Sequence, residues 1–380
     1  MLTTTLGAPA RLHFPGCPSP SLGVELELSL VDRASGDLAA RAPEVIAALA
    51  DPAFVKPELF PSIVEINSRA CPNVASLEQD LGQRLRQLAT VLAPLGLGCF
   101  GAGAHPCADW RHLAVTDDER YRRLVERLRW PAERLLISGT HLHVGVPDGD
   151  AAVALLRPLS FYLPHFLALS ASSPYWLGRD TGLDSARTVV FGGLPSTGLP
   201  PAVDGWADFA DLFSALQASG IAESIRDVWW DIRPHTSFGT LELRICDSIN
   251  DLPTLCTLAA LLQALVAELL AQHAAGVRLW RPPAWLLNEN KWRAARYGLE
   301  AQIIVTADGR QQPLADHLRA LAARLAPQAQ ALGGAPALAQ LEPLLRRGNG
   351  ASGQRRAVAA AGGQPAAAVA HLLQAFDPGV

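Results

Sequence analysis

The sequence predicts an α+β fold, with a largely antiparallel sheet and helices packed on one of its faces. Three observations carry this. Four short segments alternate apolar and polar residues at period two, as strands with one buried face do. Long apolar stretches of helical length follow the last of them. No period repeats and no linker divides two compositions, so residues 1–380 are expected to form one domain, although length alone would allow two. With 49% hydrophobic and 18% charged residues, a sizeable core is available and bulk disorder is excluded.

The elements follow in order. Val24, Leu26, Leu28 and Leu30 alternate with Glu25, Glu27 and Ser29 and predict the first strand; Ile63–Asn67 predicts the second. Ser76 opens a helix, and Gln79 three residues on completes a capping box. Leu77, Leu81, Leu85, Leu88 and Leu92 give it one apolar stripe, and Pro94-Leu95-Gly96 ends it. Residues 96–101 spell GxGxxG, but a helix precedes them and Gly103-Ala104-His105-Pro106 stands where a helix should begin. A glycine-rich strand and turn is the better reading than a dinucleotide site. Residues 117–136 read as an arginine-rich helix solvated on one side. Residues 137–146 predict the third strand, and 151–169 a helix despite Pro158 and Pro164. The loop over 180–201, rich in Gly, Pro, Ser and Thr, is of the kind that covers active sites. Residues 238–247 form the last strand. Apolar helices lie on each side of Pro282-Pro283, and 351–370 reads as a packing helix.

Composition narrows the function. A net charge of −4 and a pI near 6.2 argue against nucleic acid or an anionic membrane as partner. Lys56 and Lys291 are the two lysines and neither sits in a GxxxxGK[ST] loop, which closes the P-loop reading. No signal-peptide pattern opens the sequence. Six scattered cysteines read as reduced thiols, so a cytoplasmic protein is expected. The apolar stretch 252–275 contains Gln263, Glu268 and Gln272, which suit a buried helix better than a bilayer.

Period two places Glu25 with Glu27, Glu65 with Asn67, His141 with His143, and Glu242 with Arg244, each pair on one strand face. Solvent explains any one such face. Four together, dominated by glutamate, suit a Mg²⁺ or Mn²⁺ centre that a histidine joins. Zinc fits less well, since HExxH is absent and no cysteine lies at ligand spacing. Several cations with arginines nearby point toward phosphoryl chemistry. Converging carboxylates should also store repulsion when no metal is bound. On that basis Glu242→Gln is expected to leave the metal-free protein as stable as before, or more so.

The strings GVELELSLVD (23–32), SIVEIN (62–67), GAHP (103–106) and GTHLHVGVPD (139–148) resemble, in order, the carboxylate–amine ligases, also called type 2 glutamate–cysteine ligases. So do LSASSPYWLGRDTGLDSAR (169–187), WWDIRPHTSFGTLELRICD (229–247), NKWRAARYGLEA (290–301) and GNGASGQRRAV (348–358), which carries the resemblance over nearly the whole chain. The resemblance implies a glutamine-synthetase-like catalytic fold, an antiparallel sheet curved into a funnel with metals at its narrow end. It implies ATP as co-substrate, Mg²⁺ or Mn²⁺ as cofactor, and amide formation through an acyl phosphate. The γ-carboxylate of L-glutamate would be activated, and the amino group of L-cysteine or another amine would displace phosphate. It favours a homodimer.

Position by position, Glu25 and Glu27 resemble the family's paired metal-binding glutamates, and Glu65 that of the second strand. Glu58 sits where related ligases place another acid. His141 or His143 resembles the metal-binding histidine, with His141 favoured. Glu242 matches the late-strand metal ligand and Arg244 the arginine that steadies the γ-phosphoryl group. Arg187 is the candidate to hold substrate carboxylate or phosphate. Lys291 and Arg293 either approach nucleotide or lie on an exposed helical face. Ile66-Asn67-Ser68-Arg69 and Phe191-Gly192-Gly193 depart from the family's usual residues, which bears on amine specificity rather than on metal. His105 reads as a turn residue, Trp229 and Trp230 as packing aromatics, and Asp231 and Asp247 as structural. A metal-dependent hydrolase on the same acids and a silent metabolite-binding homologue are the alternatives.

Overall fold

The computed structural model describes residues 12–376. Seven strands form the main sheet: β1 (Leu22–Asp32), β2 (Val55–Pro57), β3 (Ile63–Asn67), β4 (Leu97–Phe100), β5 (Gly139–Gly145), β6 (Ile232–His235) and β7 (Thr240–Asp247). Their order is β6-β7-β5-β1-β3-β2, β4 pairs with the second half of β1, and every pairing is antiparallel. Alternation works as the sequence predicts. Leu22, Val24, Leu26 and Leu28 are buried in the core that the helices share, while Glu25 and Glu27 face the other way and are only partly covered. The short strands β2 and β6 each contain a proline and too few residues to show a period, so periodicity did not reveal them.

The helices pack on the apolar face. Leu252–Ala274 lies among the Val74–Leu92, Gly149–Ser160 and Leu314–Ala331 helices and is apolar on every side because it is covered on every side. By length and composition it could cross a membrane, as could the bent pair Gly149–Ser160 and Leu163–Ser170, but 83% of its most apolar stretch is buried inside the protein. Asp251 caps it, accepting from the Thr254 N–H at 2.9 Å.

Several boundaries differ from expectation, each for a local reason. The Val74–Leu92 helix starts earlier than Ser76, because Asn73 is its cap and accepts from the Ser76 N–H at 2.9 Å. The helix expected over 151–169 is two, bent by 63°. Pro164 lacks the N–H that would carry the hydrogen-bond ladder across the break. The arginine-rich helix is Glu119–Leu128; it stops at Arg129, whose φ is +56°, and Pro131 follows in a separate turn. The loop over 180–201 encloses a short helix, Ala186–Phe191, capped by Ser185. Gly362 and Gly363 divide the alanine-rich tail into Gly350–Ala360 and Ala366–Ala375.

Candidate active site

Strand register assembles the site. Glu27 lies opposite Glu65; Glu25 lies between Asn67 and His141; His143 lies opposite Glu242, and Glu242 opposite Arg233. The polar face of the sheet is therefore one continuous row drawn from five strands. In β7, Leu243 pairs with Leu142 but Cys246 with Thr140, so the strand holds an extra residue at Arg244-Ile245. This bulge restarts the alternation. Cys246 turns into the core, and Asp247 comes within 4.0 Å of Arg187. The cavity over this face measures about 480 Å³, and Glu25, Glu27, Glu58, Glu65, His141, Arg187 and Arg244 all line it.

The acids fall into two groups whose candidate ligand atoms lie within 4.8 Å of one another. The first is Glu25, His143 and Glu242. Arg233 clamps Glu242 at 2.7 and 3.2 Å and gives its other nitrogen to the carbonyls of Ile225 and Val228, at 2.8 and 2.7 Å. Arg244 bonds the same carboxylate. Burial pushes Glu242 up, but Arg233 and Arg244 hold it well below the usual carboxylate range. Burial likewise pushes Glu25 up, and the hydrogen bonds and charges of His141 and His143 outweigh it, leaving Glu25 well below.

The second group is Glu27, Glu58 and Glu65. Burial lifts Glu27 to about 7, with Arg187 opposing the shift and Glu65 adding to it. Burial, Glu27 and Glu65 push Glu58 well above the usual range. Glu65 is raised by burial and by Glu25, despite Lys56 at 3.4 Å and a 2.8 Å bond from Asn67. His141 stands between the groups, with Nδ1 2.8 Å from Glu25 and Nε2 3.9 Å from Glu27. Burial and Arg244 hold it down to about 4. Both histidines thus reach Glu25, and His143 is the one grouped with Glu25 and Glu242.

These residues fit a divalent cation. His143 Nε2 is buried with no hydrogen-bond partner, 3.6 Å from Glu25, and three carboxylates converge in the second group. Oxygen donors joined by one imidazole are the set a hard divalent ion takes.

Arg187 and Arg244 each bury an Nε with no partner, so both keep donors in hand. Arg187 is placed by its surroundings. Its backbone N–H donates to Ser173 Oγ at 3.1 Å, and its guanidinium touches the carbonyls of Arg244 and Ile245 at 3.3 and 3.4 Å. Asp247 accepts from Ser172 N–H, Ser173 and Ser185, at 2.9, 2.7 and 2.7 Å, and ties this loop to β7. Gly139 serves both sides of the site. Its N–H donates to Glu27 at 2.6 Å, and a Cβ there would stand 2.3 Å from the Arg187 guanidinium.

The structure does not bring every expected residue to the cavity. Lys291 bonds both oxygens of Asp231, at 2.8 and 2.7 Å, and Arg293 bonds Glu289, the Gln302 carbonyl and Gln311. Their charges are spent on local partners, and neither lines the cavity, so the nucleotide role expected of them finds no support. Sequence reading missed Arg233, which stands on a four-residue strand that contains Pro234 and is too short to show a period. It also left Arg120, Arg123 and Arg127 on a solvated helix face, where their i, i+3, i+7 spacing puts one side on the cavity wall. His105 is the turn residue expected, accepting from the N–H groups of Cys107 and Ala108.

Comparison with known proteins agrees with this geometry. Residues 21–371 match the model of glutamate–cysteine ligase family 2. A putative glutamate–cysteine ligase 2-1 of Frankia casuarinae is 43% identical over 97% of this chain and 98% of its own length. A putative glutamate–cysteine ligase 2 of Gloeobacter violaceus is 41% identical over 91% of this chain and 94% of its own. Among solved structures, the glutamate–cysteine ligase of Francisella tularensis in complex with AMP superposes with a TM-score of 0.64 at 13% identity, covering 96% of this chain and 89% of that one. A bifunctional glutathione synthetase from Pasteurella multocida gives 0.65 at 13% identity, over 94% of this chain and 51% of that one. The fold is the glutamine-synthetase-like one. The chain belongs to glutamate–cysteine ligase family 2, and it is an ATP-dependent ligase that forms C–N bonds.

Proposed function

We propose that this ligase joins the γ-carboxylate of L-glutamate to the amino group of L-cysteine or another amine, with Mg²⁺ or Mn²⁺ as its cation. The carrying observation is the pair of acid groups on one sheet face, walled by two arginines with unused donors. Glu25, Glu242 and His143 or His141 would hold one cation, and Glu27, Glu58 and Glu65 another. Cations held there would supply positive charge to offset that on the transferring phosphoryl group. A carboxylate oxygen of glutamate bonds to the γ-phosphorus as the bond to ADP breaks. The amine nitrogen then bonds to the acyl carbon and gives up a proton, and phosphate leaves with the acyl C–O pair. Arg244 and Arg187 offer N–H donors to the oxygens that carry charge in both steps. Family membership gives no support to a hydrolase or to a silent binding protein.

The reading extends to residues 1–380 as one catalytic domain working as a homodimer. Six free cysteines support a cytoplasmic location. The deciding experiment mixes ATP, Mg²⁺ and glutamate with a panel of amines and reads ADP, phosphate and product mass. Hydroxylamine should trap the activated carboxylate as a hydroxamate. ADP release without any amide or hydroxamate would remove the ligase reading.

A further inference from the structure

The motif GNGASGQRRAV, at 348–358, lies far along the chain from every residue placed in the site. It opens the Gly350–Ala360 helix, and the first turns of that helix grip the loop that carries Arg187. Arg355 spends all three of its guanidinium nitrogens on one stretch of five residues. Nε and one terminal nitrogen hold the two oxygens of Asp180, at 3.0 and 3.2 Å, and that terminal nitrogen also reaches the Leu183 carbonyl at 2.7 Å. The other terminal nitrogen donates to Asp184. Asn349 caps the helix, accepting from the Ser352 N–H at 3.0 Å, and its amide donates to the second oxygen of Asp184 at 3.0 Å. Gln354 is fully buried and donates to the Ser172 carbonyl at 2.7 Å, and the Ala351 N–H donates to the Ala171 carbonyl at 2.9 Å. The fit is close: a Cβ on Gly350 would stand 2.7 Å from Ser172 Cβ.

The two gripped stretches, 171–173 and 180–184, meet at Arg187. The Ser173 N–H donates to the Asp184 carbonyl at 3.1 Å, the Ala186 N–H to the Ser173 carbonyl at 3.0 Å, and the Arg187 N–H to Ser173 Oγ at 3.1 Å. The Arg187 guanidinium makes only long hydrogen bonds, 3.3 and 3.4 Å, and its Nε has no partner. Where its donors point is therefore set by the backbone beneath it, and a shift of about 1 Å there would misaim them. We propose that Arg355 is a positioning residue for the reaction: it braces Asp180–Asp184 against the Gly350–Ala360 helix and so fixes the backbone from which Arg187 presents its donors. The proposal rests on the ligase reading and gives the C-terminal motif a part in it.

The test places Arg355→Gln and Arg187→Lys in a double-mutant cycle and follows amide hydrogen exchange over residues 183–188. Arg355→Gln alone should lower kcat/KM for glutamate by about tenfold. Added to Arg187→Lys it should cost less than about twofold more, because the group through which it acts is already lost. Exchange over 183–188 should quicken in Arg355→Gln and stay unchanged in Arg187→Lys. Asp180→Asn, at a half-exposed side chain that keeps an oxygen for the Gly182 N–H, should show the same losses in smaller degree. It takes the place of Arg355→Gln in the cycle should that variant fail to fold. An unchanged kcat/KM overturns the proposal. So do fully additive losses, which would make Arg355 a prop of the fold at large, and so does unchanged exchange. All three leave the ligase reading standing. An unmutated protein that consumes no ATP with glutamate and any amine removes that reading, and the exchange comparison still decides whether Arg355 holds the loop.

Discussion

The two acid groups lie side by side on one sheet face, yet the protein treats them in opposite ways. Glu242 is fully buried between Arg233 and Arg244, and Glu25 lies between two imidazoles, so the first group is ionised and neutralised from within. Glu27, Glu58 and Glu65 face one another with Lys56 and Arg187 as their main opposing charges, and each is raised by burial. The first group is neutralised within the fold, whereas the second keeps carboxylates whose ionisation is opposed by burial and by one another. Similar residues on one surface can therefore support stability or oppose it, depending on which cations the chain brings to them.

The largest expected effect reverses the expectation drawn from converging carboxylates on the sheet face. Glu242→Gln does not relieve repulsion, because it strips two buried guanidinium groups of their partner. It should destabilise the metal-free protein by about 3–5 kcal/mol and abolish ligation. Denaturant unfolding in EDTA checks this, and an unchanged midpoint would erase the contrast between the groups.

Next comes the response to cation and pH. An ion that binds only the folded state should stabilise it by about 2.7 kcal/mol at a hundred times its dissociation constant. In EDTA, Glu27 keeps its proton in the folded state up to about 7, while the unfolded chain releases it near the ordinary glutamate value. The folded state then holds more protons, so stability falls as pH rises through that window, by about 1.4 kcal/mol per unit at the steepest. Saturating Mg²⁺ should flatten the slope. Calorimetry from pH 4.5 to 7.5 with and without the ion reads both effects, and a slope indifferent to metal would locate the cation elsewhere.

Arg244→Lys separates charge from shape in the first group. Lysine still opposes Glu242 but lacks the planar fork that can hold two phosphate oxygens. Turnover should fall by at least about tenfold, equal to ~1.4 kcal/mol of transition-state stabilisation, and KM for ATP should move less. Normal turnover would take Arg244 off the catalytic list. The smallest effect runs the other way. Glu58→Gln removes an acid whose ionisation folding opposes and should stabilise the metal-free protein near neutral pH by about 1 kcal/mol, within the range of a single pKa unit, while reducing the gain from Mg²⁺. Melting temperatures measured in EDTA test the sign.

Much of this was legible in the sequence, for a physical reason. Side-chain alternation is local, so Glu25 with Glu27, and His141 with His143, could be put on one face from spacing alone. Helix stripes are local too, and the leucines of Val74–Leu92 are buried as their spacing required. The family motifs added order and identity to those faces.

Pairing is not local. Which strand lies beside which, and hence that His143 meets Glu242 while Glu27 meets Glu65, depends on the closing of loops whose lengths carry no register. The bulge at Arg244-Ile245 and the two-sided use of Gly139 are likewise products of packing. Arg233 shows the limit most clearly. It sits on a strand of four residues interrupted by Pro234, too short to display a period, and only the folded sheet sets it against Glu242. The sequence by itself determined which residue types line the polar face. The tertiary structure decided which acids are paired with the protein's own cations and which are not, because electrostatic energy depends on distances of a few ångströms that only the assembled sheet defines.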